Sequence, residues 1–184
     1  IRRDAPSRAE PFLDQIDRFQ ALRQASQYVS QVHDSHGGIG ELLSSDIIFQ
    51  DHTPEGSIGN PVLNLPDIAY NPRKKFGRQE QRATDMLDFM VGMSMEEFRR
   101  TNDWGMVKTV LDTIIEGYGQ EKPEDSVIKW TGILAKRGRL TMEEHKLSGI
   151  HNFPRLGLTK GASEQLRQTI IDSCLSHNAP QAQV

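Results

Sequence analysis

Two segments carry the reciprocal capping box, in which a Ser or Thr that caps a helix N-terminus stands three residues before a Glu. Ser94 precedes Glu97 in the first segment, and Thr141 precedes Glu144 in the second. In each box the hydroxyl caps a backbone N–H of the first turn, and the Glu reaches back to the N–H of the capping residue. Each box therefore predicts the start of a helix in the second half of the chain.

Apolar residues recur at three- and four-residue spacing through most of the chain, which is typical of helices with one buried face. A long first helix is predicted over residues 9–32, and the Gly37 and Gly38 pair stops the pattern. Gly92 is predicted to end the next helix, and Asp103 to cap a later one. The segment 39–50 fits either a brief helix or a buried strand, with helix favoured. The other helices are predicted over residues 78–91, 95–100, 104–117, 123–136, near Met142, and 159–176.

The fold class predicted from these segments is all-α, as a single bundle of six to eight helices. Residues 51–77 contain repeated Pro and Gly and predict a long loop after the first helix. The chain has 184 residues, which suits one domain of ordinary size. We assign residues 9–176 to that domain, and residues 1–8 and 177–184 to flexible tails.

Composition limits the class of protein. The net charge of −3 argues against a surface that is basic throughout, and no apolar run reaches the roughly 18 to 20 residues of a membrane span. A single cysteine, Cys174, excludes an internal disulfide and favours a reducing, intracellular compartment, cytoplasmic or nuclear. Because the first residue is Ile1, we expect a processed product or a piece excised from a larger protein.

The strongest charged feature is the segment 71–82, in which Glu80 is the only acid. A basic loop that runs into a helix N-terminus offers cations and free N–H groups to phosphate, and suits an acidic protein surface equally well. Smaller basic groups at 99–100 and 136–139 lie at predicted helix ends, where the helix dipole explains them. The predicted partner- or phosphate-binding residues are Arg73, Lys74, Lys75, Phe76, Arg78 and Arg82.

Signals for catalysis are weaker. Imidazole and carboxylate groups cluster between residues 33 and 52, but their spacing matches no established metal site, and a polar loop is the favoured interpretation. Cys174 and His177 stand three residues apart, yet a lone cysteine among apolar residues is typically a small core residue. No glycine-rich nucleotide loop occurs, and we predict no catalytic residue, metal ligand or cofactor. The cluster consists of His33, Asp34, His36, Asp51 and His52.

We therefore expect a non-enzymatic protein-interaction module, excised from a larger protein such as a viral or pathogen effector. Another protein is the expected partner. The alternative is a helical nucleic-acid-binding domain that uses the basic segment 73–82. A second alternative is a metal-dependent hydrolase built on the histidine cluster.

Overall fold

The structure is a computed structural model, and it describes residues 15–39, 42, 47–50, 60–63, 78–119, 126–137 and 160–176. These ranges are overwhelmingly helical, so the predicted helical class is confirmed. They hold five helices; the short helix predicted near Met142, the second capping box and both predicted tails lie outside them. The helices are α1 (Gln15–His36), α2 (Arg78–Thr101), α3 (Trp104–Tyr118), α4 (Val127–Arg137) and α5 (Lys160–Ser176).

One short β-ladder accompanies the helices. Strand β1 (Ile47–Gln50) pairs antiparallel with β2 (Asn60–Leu63), and Ile47 lies opposite Leu63. The helical preference given to the segment 39–50 is therefore wrong for its last four residues. Strand β2 lies beside α1 and falls within the stretch predicted as a loop.

Helix α2 is continuous across two predicted boundaries. It passes through Gly92 and Ser94, so the helix end predicted at the glycine and the helix start predicted at the first capping box are both wrong. A glycine inside a helix costs about 1 kcal/mol relative to alanine. Burying a methionine is worth about 1.5–3 kcal/mol, and Met90, Met93 and Met95 are all buried here. Tertiary packing thus outweighs the local signals.

Helix α3 begins where the sequence predicts. The carboxylate of Asp103 accepts the backbone N–H of Gly105 at 2.8 Å, which is the expected N-cap contact. At the other end Gly119 has φ +96°, a conformation that glycine adopts without steric cost, and its N–H points to the carbonyl of Ile115.

The core lies between α3, which packs on α1 and α2, and α4, which packs on α2 and α5. Two glycines permit close helix approaches. A Cβ on Gly117 would stand 2.7 Å from the carbonyl oxygen of Arg23 in α1, and one on Gly132 would stand 2.9 Å from Cβ of Cys174 in α5. The largest fully buried apolar side chains are Phe89, Leu42, Met86, Met90, Met95, Leu111, Ile114, Leu166, Ile170, Val29 and Val107.

Candidate functional site

A buried polar network joins the end of α1 to α2 and to the end of α3. His33 is completely buried; its Nδ1 lies 2.8 Å from the Tyr118 hydroxyl, and its Nε2 lies 3.2 Å from Oδ2 of Asp85. The same carboxylate oxygen accepts the backbone N–H of Ile39 at 2.6 Å. The histidine and tyrosine rings also meet edge to face, with centroids 5.7 Å apart.

The hydrogen bonds assign a role to each atom of this network. An ionised carboxylate only accepts, so the N–H at Nε2 of His33 donates its hydrogen bond to Oδ2 of Asp85. In the neutral ring Nδ1 is then an acceptor, and the Tyr118 hydroxyl donates to it. Both ring nitrogens are used, and the ring has no exposed surface. This histidine therefore serves as a buried cross-link between helices and not as a general base for a bound substrate.

The glycine pair after α1 sets how closely the helices approach at this network. Gly37 has φ +85° and donates its N–H to the carbonyl of His33 at 3.0 Å, which closes the helix. A Cβ on Gly38 would stand only 2.4 Å from Cβ of Gln81 in the first turn of α2. The predicted breaker pair is thus confirmed, and Gly38 also lets the chain just after α1 lie directly on the first turn of α2.

Arg82 belongs to this junction. Its guanidinium donates to the carbonyl oxygen of His33 and lies 3.7 Å from the carboxylate of Asp34. A cation at the carbonyl end of α1 is favoured by the helix dipole, so Arg82 acts as a cap from a neighbouring helix. Arg78 begins α2, and its side chain is outside the description. The other predicted site residues, which lie outside the described ranges, are Arg73, Lys74, Lys75 and Phe76.

The predicted metal cluster is only partly described. His33 is held by two hydrogen bonds, and Asp34, with 74% of its side chain exposed, pairs with Arg82. Asp51 and His52 lie outside the described residues. Within the described ranges no three His, Cys, Asp or Glu side chains are grouped so as to hold a metal ion. The His36 side chain is also outside the description, so the metal-dependent alternative stays a prediction that depends on residues 36, 51 and 52.

Cys174 is enclosed in the core between α5, α4 and α2. Its Sγ lies 3.9 Å from Sδ of Met90, and burial raises the pKa of the thiol to about 12. The thiolate is the reactive form of cysteine, so this thiol is not set up as a nucleophile. His177 lies outside the described residues.

The corner between α2 and α3 carries a pair of stacked aromatic rings. The rings of Phe98 and Trp104 have centroids 4.3 Å apart and planes at 29°, and both side chains are half-buried. Both rings pack against the hydrophobic core, and three residues close to them in the sequence are exposed: Arg99, Asn102 and Gly105. Trp and Arg are enriched among residues that dominate protein–protein binding energies. We call this surface the aromatic corner.

Short-range hydrogen bonds fix the backbone of the aromatic corner. Asn102 adopts φ +52°, a conformation that Asn tolerates better than most residues, and donates its N–H to the carbonyl of Phe98 at 2.7 Å. The hydroxyl of Thr101 donates to the carbonyl of Glu97 and accepts the N–H of Asp103. The turn is therefore held on both sides of the exposed asparagine.

An ion-pair group lies beside this turn. Arg18, which is buried, approaches Oε2 of Glu97 at 2.9 Å, and Arg100 donates to Oε1 at 2.8 Å. Burial, and secondarily the charge of Asp103, raise the pKa of Glu97. The Arg18 guanidinium also stands 4.5 Å above the ring of Phe19. The last turn of α2 is thereby tied to α1.

Sequence analysis missed the partners of His33 and the aromatic pair. Asp85 offered one signal, because it is a carboxylate inside the apolar stripe of a helix, next to Met86 and Leu87. The Asp103 cap placed Trp104 at the start of a helix but did not show which ring it would contact.

None of the described helices has the length and apolar character that crossing a lipid bilayer requires. Comparisons with protein-family models, with curated proteins and with solved structures found no match to this chain.

Proposed function

We propose that this chain is a non-enzymatic protein-interaction domain and that the aromatic corner contacts the protein partner. The observation that carries the proposal is the half-buried stack of Phe98 and Trp104 on a turn whose backbone is already fixed. Large rigid side chains bury much area on binding while losing little conformational entropy.

The partner should offer an apolar pocket for the indole, with acidic groups at its rim. Arg99 and Arg100 are exposed at the corner. Arg100 pairs with Glu97 through one guanidinium nitrogen, so its other N–H groups can donate to a carboxylate of the partner. Arg and aromatic residues are both enriched at the cores of protein interfaces.

The part of the basic segment 73–82 that precedes Arg82, which caps α1, would form a separate contact. Arg78 begins α2, whereas Phe98 of the aromatic corner lies 20 residues later in the same helix. At 1.5 Å per residue, these two positions are about 30 Å apart along the helix axis. A partner that uses both must therefore be large or extended, and each region can be tested alone.

The test is a quantitative pull-down with the intact chain as bait, in extract from cells that produce it, followed by calorimetry with the purified partner. Trp104→Leu removes the ring but keeps an apolar side chain, and we expect it to weaken binding by about 30-fold or more, as hot-spot truncations do. Trp130→Leu, on α4, is the matched control and should bind normally. Circular dichroism melting of each variant checks that the fold is retained.

Two results would count against the proposal. Equal binding by wild-type protein and Trp104→Leu would remove the aromatic corner from the interface. Binding that is lost only when Arg73, Lys74 and Lys75 are replaced by Ala would assign recognition to the basic segment instead.

A further inference from the structure

The outward face of α4 combines positive charge with an aromatic ring. The helix contains three cations and no acidic residue, and all three cations are exposed. Trp130 and Ile133, both half-buried, lie between them. With 3.6 residues per turn, these five side chains occupy an arc of about 120°, and the buried residues fill the remainder. This basic face consists of Lys129, Trp130, Ile133, Lys136 and Arg137.

The helix dipole does not explain the basic face. Lys136 and Arg137 lie in the last turn, where cations are favoured, but Lys129 lies in the first turn, where a cation is disfavoured. Within the described part of the chain, Lys129 and Lys136 form no ion pair. Arg137 stands 6.0 Å from the centre of the Trp130 ring. Among the residues that the structure describes, no carboxylate pairs with either lysine, which leaves both charges open to an external anion.

The neighbouring helix does not neutralise this face. Arg167 of α5 approaches the carbonyl oxygens of Ala135 and Lys136, each at 3.5 Å, and pairs with Glu164 on its own helix. Hydrogen bonding to Arg167 lowers the pKa of Glu164, which keeps that carboxylate charged but already partnered. The other exposed acid of α5, Asp172, accepts a hydrogen bond from Gln168.

We infer that the basic face binds single-stranded nucleic acid. Proteins that bind single strands without sequence preference combine cations along the backbone path with aromatic rings on which bases stack. Lys129 and Arg137 are eight residues apart, or about 12 Å along the axis, which matches three to four stacked nucleotides at about 3.4 Å each. A duplex presents no free base face to Trp130 and should bind less tightly.

This site is independent of the aromatic corner. It lies on α4, whereas the corner joins α2 to α3, so the two activities can fail separately. Trp104→Leu should leave nucleic-acid binding unchanged, and Trp130→Leu should leave protein binding unchanged. Each variant is thus the control for the other.

The test is fluorescence anisotropy of the intact chain with fluorescein-labelled 12-mers of uridine and of thymidine, at 50 and 200 mM NaCl. If three cations each neutralise one phosphate, the affinity for a single strand should fall about 20-fold between these salt concentrations. The variant with Lys129→Gln, Lys136→Gln and Arg137→Gln should lose most of the binding and most of the salt dependence. The control removes three other cations, with Arg3→Gln, Arg23→Gln and Lys108→Gln, and should bind within about twofold of wild type.

The ring is tested separately from the charges. Trp130→Leu should weaken binding by about fivefold or more, because stacking of one base is worth at least that much, and Trp130→Phe should retain most of it. Thermal melting of every variant verifies that the helix bundle is intact.

Four results would overturn the inference. The first two are an absence of salt-dependent binding by the wild-type chain, and an equal loss of affinity in both triple variants. The other two are a loss of affinity only when Arg73, Lys74 and Lys75 are replaced, and equal affinity for poly-glutamate of matched length. The last would mean that any polyanion, including an acidic protein segment, satisfies this face without stacking.

Discussion

The hydroxyl of Tyr118 provides the cleanest perturbation of the buried network. Tyr118→Phe removes one oxygen and keeps the ring that packs against His33. In the variant, Nδ1 of a completely buried histidine loses its 2.8 Å partner. Leaving a buried acceptor unsatisfied costs about 1–3 kcal/mol, so the free energy of unfolding should fall by about 2 kcal/mol.

Urea unfolding at neutral pH, followed by circular dichroism, measures this loss. With a slope of about 2–3 kcal/mol per molar urea, a loss of about 2 kcal/mol lowers the midpoint by about 0.7–1 M and leaves the slope unchanged. The melting temperature should fall by roughly 4–8 °C for a chain of this size. Tyr28→Phe, a half-buried tyrosine on α1, is the matched control and should cost less than about 1 kcal/mol.

A second substitution tests whether the three residues act as one unit. Asp85→Ala leaves two buried donors without their acceptor, Nε2 of His33 and the N–H of Ile39, and should cost about 2–6 kcal/mol. Because Tyr118 and Asp85 contact the same ring, the double variant should be less destabilised than the sum of the single variants. A Tyr118→Phe protein as stable as Tyr28→Phe, together with strict additivity, would refute this account of the network.

Three further predictions concern packing, the cysteine and the buried ion pair. Gly117→Ala should lower the free energy of unfolding by about 1–3 kcal/mol, because the added Cβ meets the backbone of α1. Gly161→Ala is the control and should be neutral or stabilising, because its Cβ meets nothing within 4 Å. Equal urea midpoints for the two variants would contradict this. Burial raises the pKa of the Cys174 thiol to about 12, whereas the pKa of a cysteine in an unfolded chain is about 8.5. Between these two pH values the thiol is protonated in the native state and ionised in the unfolded state. Stability should therefore fall by about 1.4 kcal/mol per pH unit above pH 8.5, and a stability difference between wild type and Cys174→Ala that stays flat from pH 8 to 10 would contradict this. Glu97→Gln leaves the buried Arg18 charge uncompensated and should lower the free energy of unfolding by about 3–5 kcal/mol. Arg18→Met should lower it by less than about 1 kcal/mol, because Arg100 still pairs with the carboxylate. Denaturant titration measures both losses, and a larger loss for Arg18→Met would contradict this.

Local signals in the sequence were reliable where the contact itself is local. The Asp103 cap and the Gly37 helix end each involve residues two to four positions apart, and both were predicted at the right place. The signals at Gly92 and Ser94 failed because the competing contacts come from other helices, whose packing buries α2 on both sides of the glycine. A capping box thus predicts a helix start only where no tertiary contact requires the helix to continue.

The candidate sites were harder to predict for the same physical reason. His33 was recognisable as a titratable residue, but its partners lie 52 and 85 positions along the chain, and no pattern at that separation indicates a contact. The cations at 136–139 were attributed to the helix dipole and Lys129 was not considered, although residues seven apart share one helix face. Which face points outward is decided by α2 and α5, which cover the opposite side.

Helix α3 links the buried network to the aromatic corner. Its first residue, Trp104, stacks on Phe98, and its last residue, Tyr118, bonds to His33. Close backbone contact at Gly117 holds the same helix against α1. Since both ends of α3 are fixed by contacts to other parts of the bundle, the indole keeps one orientation before any partner arrives. Binding of the proposed partner would then cost little free energy for ordering this surface. A small aromatic group needs such preorganisation if it is to give a tight protein contact.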